Sequence, residues 1–118
     1  MSQELPPQVK NQLAQMQQIQ QQAQAIITQK NQVEITLKET ELALEELEKL
    51  DTDAVVYRAI GDLLIKTERE KTKEFLKEKK DTLDLRLQTL ARQEERAQKR
   101  FQQLQEQLKQ AIGTPAAQ

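Results

Sequence analysis

Two long stretches of this chain carry apolar residues at alternating steps of three and four, and that spacing limits the fold more than any other feature. In the first stretch the steps fall on Val9, Gln12, Met16, Ile19, Ala23, Ile26, Lys30, Val33, Leu37, Thr40, Leu44 and Leu47. Nine of these twelve are apolar, and the flanks are mainly Gln, Glu and Lys. In the second they fall on Leu76, Lys80, Leu83, Leu87, Leu90, Glu94, Ala97, Phe101, Leu104, Leu108 and Ala111, nine of eleven apolar. A seam so narrow and so long suits a coiled coil better than a helix lying on a globular core. With 118 residues, 36% hydrophobic and 3% aromatic, the chain has too little bulky apolar matter for a compact core. Disorder is the rival for such a composition, and the sustained period argues against it.

The arms have nearly equal reach. Residues 8–50 would span about 65 Å as a helix and residues 70–112 about the same, at 1.5 Å per residue. The prolines (Pro6, Pro7, Pro115) lie near the ends, so nothing breaks either arm. Equal arms with a short connector predict an antiparallel fold-back. The seams register with Val9 opposite Ala111, Met16 opposite Leu104, Ala23 opposite Ala97, Leu37 opposite Leu83 and Leu44 opposite Leu76. The same register sets Thr40 opposite Lys80 and brings Lys30 within a layer of Glu94. These four polar seam residues either fix the register, as single polar seam residues do in other coiled coils, or are tolerated defects, since an exposed pair contributes only about 0–1 kcal/mol.

Between the arms stands DAVVYRAIGDLLIKT, residues 53–67. Asp51-Thr52-Asp53 interrupts the first helix. Two β-rich runs then flank Gly61-Asp62, which fits a two-residue turn with glycine supplying a positive φ at its first position. The expected hairpin covers residues 54–67. Thr67-Glu68-Arg69-Glu70 reads as a capping box for the second helix, with Thr72 as a later alternative cap. One face of the hairpin carries Val56, Arg58, Ile60, Leu63, Ile65 and Thr67; the other carries Val55, Tyr57, Ala59, Leu64, Lys66 and Glu68. An isolated two-stranded hairpin is marginal in water and its open edges invite pairing. The sequence holds no second sheet, so the partner strands are expected from other chains. The plain alternative is a hairpin that only caps the bend.

Several kinds of chemistry are excluded. With no Cys and no His, a disulfide scaffold, a cysteine nucleophile, a zinc finger and a histidine base are all ruled out. Two glycines, Gly61 and Gly113, cannot make a phosphate-binding loop. Acid pairs such as Glu45/Glu46 and Glu94/Glu95 read as solvated helix faces. A net charge of −1 with mixed signs gives no nucleic-acid footprint, and Lys77-Glu78-Lys79-Lys80 is flanked by acids. No apolar run approaches the roughly 20 residues of a membrane helix, and MSQELPPQV resembles neither a signal nor a transit peptide. The expectation is a cytoplasmic, non-enzymatic protein without metal or cofactor that binds neither membrane nor nucleic acid. At the chain ends, Leu5, Pro6, Pro7, Val9 and Leu13 gather near Leu104, Leu108, Ala111 and Ile112. This end either frays, as termini do, or forms an apolar tip that grips exposed segments of other proteins.

Three stretches carry a resemblance. LPPQVKNQLAQMQQIQQQAQAI, DAVVYRAIGDLLIKT with its Val-Tyr step and glycine turn, and LDLRLQTLARQEERAQKRFQQLQEQL with Arg-Gln-Glu-Glu-Arg at 92–96 together resemble the archaeal prefoldin β-subunit family over essentially the whole chain. One hairpin rather than two points to the β-type. The resemblance implies a mainly α fold: a long antiparallel two-helix coiled coil with one β-hairpin at the bend, and hairpins joined into an intersubunit β-barrel platform. It implies an ATP-independent chaperone subunit, four copies with two α-type subunits, that holds non-native proteins at the coiled-coil tips and passes them to a group II chaperonin. The platform contacts would be Val55, Val56, Tyr57, Ile60, Leu63, Leu64 and Ile65. The client-binding tip would be Leu5, Val9, Leu13, Leu108 and Ile112, followed by a flexible tail over 113–118. A reading of another class is a coiled-coil adaptor or spacer that oligomerises through its hairpin and binds no client.

Overall fold

The computed structural model describes residues 5–113. The order is α1 (Pro7–Glu48), β1 (Val56–Ile60), β2 (Leu63–Thr67) and α2 (Arg69–Gly113). The tail expected beyond Gly113 lies outside the described residues. The chain divides into two units to which both helices contribute: residues 1–30 with 89–118, the terminal unit, and residues 31–88, the hairpin unit.

Local chemistry sets the element ends. The Lys10 N–H donates to the Pro6 carbonyl at 3.0 Å, which makes Pro6 the cap and Pro7 the first helical residue. Proline suits that position because its missing N–H would have no helical partner there. At the other end α1 stops at Glu48, two residues short of the expected Leu50. The N–H groups of Lys49 and Leu50 donate to Glu46 and Leu47 at 3.2 and 3.1 Å, so the last turn tightens to the i+3 spacing that commonly closes helices. Ala54 N–H then turns the chain back onto Asp51 at 3.0 Å.

In the terminal unit the helices run antiparallel, with Lys30 beside Glu94 and Gln15 beside Arg100. The buried centre is Val9, Gln12, Leu90 and Leu104; Leu104, at 1% exposure, is the most enclosed large side chain among the described residues. Gln12 brings a buried Oε1 without a donor into this layer, a cost of about 1–3 kcal/mol. In the hairpin unit the buried residues are Val33, Thr40 and Leu47 of α1 and Arg69 of α2. Every expected seam position of α1 is buried or half-buried, and so is every one of α2 except Ala111. The steps of three and four therefore face inward in both units.

The two strands pair antiparallel, Val56 with Thr67, Tyr57 with Lys66, Arg58 with Ile65, Ala59 with Leu64 and Ile60 with Leu63. This is the expected face assignment. Gly61 has φ +58° and no non-glycine residue among those described has a positive φ. A positive φ at only the first central residue is the type II′ pattern, whose twist matches that of the flanking strands. Among the described residues the sheet has two strands, so each keeps one open edge.

Candidate functional site: hairpin and terminal surface

The hairpin concentrates exposed apolar area. Of its expected contact residues, Val55, Tyr57, Ile60, Leu63, Leu64 and Ile65 are all exposed, with Tyr57 at 60% and Leu64 at 72%; Val56 is half-buried. These six make up a large share of the exposed large apolar residues and sit within eleven positions. Isolated surface leucines are ordinary, whereas a cluster on both faces of an open-edged hairpin is apolar area that burial against another surface would stabilise.

The base of the hairpin is fastened by charge. The last carbonyls of α1 need partners, and α1 has no basic residue in its own last turn. Arg69, from the first turn of α2, is buried and donates from Nε to the Leu47 carbonyl at 2.9 Å. Its guanidinium also pairs with Glu70 and lies 3.8 Å from the Glu48 carboxylate. Lys73 Nζ reaches the same carboxylate at 2.5 Å. Cations are favourable at a helix C-terminus and unfavourable at an N-terminus, so Arg69 and Lys73 suit the end of α1 rather than the start of their own helix. Hydrogen bonding from Lys73, helped by the positive charges of Lys73, Arg69 and Lys77, holds the Glu48 carboxyl below its ordinary value of 4.5.

This clasp replaces the expected capping box. Thr67 is the last residue of β2, and Thr72 lies inside α2. The first helical bond runs from Thr72 N–H to the Glu68 carbonyl at 3.0 Å, so Glu68 holds the cap position. The Thr72 hydroxyl donates to the Thr67 hydroxyl at 3.4 Å. Sequence reasoning missed Arg69, Lys73 and Glu48 as a group. The available signal was a cation in a first helical turn, where the helix's own dipole disfavours it.

The polar seam residues take different partners. Lys30 Nζ donates to Glu94 Oε1 at 2.9 Å, both side chains half-buried. Thr40 is buried and its hydroxyl donates to the Thr36 carbonyl at 2.8 Å, a local bond that satisfies the hydroxyl within its own helix. Lys80 lies 3.6 Å from Glu41. Thr40 and Lys80 thus spend their polar groups elsewhere than on each other.

In the terminal unit the expected tip residues divide. Leu5, Leu13 and Ile112 are exposed, Ile112 at 58%; Leu108 is half-buried; Val9, at 2%, belongs to the seam and offers no surface. Val9 was read by position near the chain end, but its place in the heptad turns it inward. No group of three or more acidic residues among those described could hold a metal ion, and no described helix is long and apolar enough to cross a membrane.

With this geometry in view, the chain matches the family described as "Prefoldin subunit" over residues 10–114. The prefoldin subunit beta of Methanococcoides burtonii is 66% identical over 97% of both chains. The chain belongs to the prefoldin β-subunit family. The prefoldin subunit beta of Pyrococcus furiosus is 44% identical over 98% of both chains. The crystal structure of the prefoldin β subunit from Thermococcus strain KS-1 matches with a TM-score of 0.87 at 41% identity, covering 97% of this chain and all of that one. Two long helices and one two-stranded hairpin are thus the prefoldin β fold. Prefoldin subunits are chaperone components rather than enzymes.

Proposed function

We propose that this chain is a holdase subunit: it assembles through its hairpin, holds non-native proteins without ATP at its terminal surface, and passes them to a group II chaperonin. The observation that carries the reading is the hairpin, whose exposed apolar faces and open edges belong to a chain of the prefoldin β-subunit family. Other copies of the chain and α-type subunits supply the missing strands, four β with two α, closing the hairpins into a barrel platform that leaves no open edge. Leu5, Leu13 and Ile112 form the client surface, together with the half-buried Leu108. Client contacts of this size are weak singly and gain from several subunits engaging one client. The protein works in the cytoplasm, where nascent chains and chaperonin meet.

The test has two arms. Replacing Tyr57 and Leu64 by Ser should abolish co-assembly with an archaeal prefoldin α-type subunit, read by light scattering. Replacing Leu5, Leu13 and Ile112 by Ser should leave assembly intact and remove suppression of aggregation of denatured citrate synthase. Assembly without suppression in the unmodified chain would favour the spacer reading.

A further inference from the structure

Two side chains are out of place by the rules that explain the rest of the hairpin unit. Arg58 is the one charged residue on a strand face otherwise made of Val56, Ile60, Leu63, Ile65 and Thr67. Phe75, one of only two phenylalanines, stands next to the seam residue Leu76 rather than in the seam, and is 38% exposed. Each accounts for the other. The Arg58 guanidinium carbon lies 3.7 Å from the centroid of the Phe75 ring, well inside the range of a cation–π contact.

The place of this contact gives it a consequence. β2 ends at Thr67 and α2 begins at Arg69, so a single residue, Glu68, joins strand to helix. A one-residue joint sets an angle only as firmly as its own two dihedrals. Arg58 lies on the other strand and reaches the second turn of α2, so it braces the joint from the side. The Arg69 bond to Leu47 anchors the helix start, and the long Thr72–Thr67 contact crosses the same joint. We infer that Arg58 and Phe75 are positioning residues that set the angle of the hairpin on α2 and so present its open edges ready for partner strands. The inference rests on the assembly reading above. A hairpin held at one angle has less freedom to lose on pairing, and preorganisation of this kind raises affinity without adding a contact to the partner.

The experiment uses the full chain, which contains no cysteine. Spin labels at Asp62→Cys and Arg86→Cys report the distance from hairpin turn to helix, in labelled chain diluted with unlabelled chain. Sedimentation with an archaeal α-type subunit reports the assembly midpoint, and circular dichroism checks that helix content is kept. The unmodified chain should give one narrow distance distribution. Arg58→Thr and Phe75→Leu should each broaden it and weaken assembly about two- to fivefold, the worth of an exposed cation–π contact. Phe75→Trp, which keeps an aromatic face under the guanidinium, should retain both the narrow distribution and the midpoint. A distribution that stays narrow in Arg58→Thr overturns the brace. A broadened distribution with an unchanged midpoint overturns its role in assembly. If the unmodified chain does not assemble at all, the assembly reading fails, while the distances still decide whether Arg58 and Phe75 hold the angle.

Discussion

The terminal unit and the hairpin unit obey one heptad rule and are held in different ways. In the terminal unit the most enclosed residues, Val9, Leu90 and Leu104, are aliphatic, and the cross-helix ion pair of Lys30 with Glu94 accompanies them. In the hairpin unit the buried set includes Arg69 and Thr40, and charged groups converge on the end of α1. The exposed apolar area is also shared unequally, falling most heavily on the hairpin. The difference teaches that one heptad pattern can be completed in two ways, by the side chains that fill it and by the charged groups gathered at a helix end. Packing closes one unit, and helix-end electrostatics close the other.

The comparison can be broken most forcefully at Leu104. Leu104→Ala should cost about 2–5 kcal/mol in stability. Hydrogen exchange should show protection lost in residues 9–30 and 90–112 while the hairpin unit keeps most of its own, since units of low local stability open separately. Equal loss in both would erase the distinction between them.

Arg69→Ala is the matching test in the hairpin unit. Removing a buried, charge-assisted bond to a helix-end carbonyl should cost about 1.5–3 kcal/mol, with exchange quickening first around residues 45–50 and 68–72. The two helices, the hairpin and their order were legible from spacing and composition, yet this clasp was not. Arg69 and Leu47 lie on either side of the hairpin, 22 residues apart, so nothing in either helix alone announces the bond.

A smaller effect sharpens the terminal side. A double-mutant cycle on Lys30→Met and Glu94→Gln should give a coupling of about 0.5–1 kcal/mol, the upper range for a half-buried pair. Their proximity was legible because an antiparallel register brings both within a layer. A coupling of zero would make the pair a tolerated seam defect and remove its role in register.

The smallest expected effect concerns acid. Glu48 has its native pKa lowered chiefly by the Lys73 hydrogen bond. Its contribution is therefore fully present above its ordinary 4.5 and is lost as pH falls below that through the lowered native value. The urea midpoints of the chain and of Glu48→Gln should differ at neutral pH and converge as pH falls below 4.5. A gap that persists in acid would show that Glu48 acts by packing instead.

By itself the sequence determined two helices, their seams, their antiparallel course, the hairpin and its turn. All of these follow from periodicity, β-branching and one glycine, which act between neighbours in the chain or between two regular surfaces. Only the tertiary structure decided which carbonyl the Thr40 hydroxyl takes, that Arg69 closes the helix before its own, and that Arg58 rests on Phe75. Those outcomes depend on which polar and charged groups meet once the chain has folded, and the apolar pattern does not encode such a meeting.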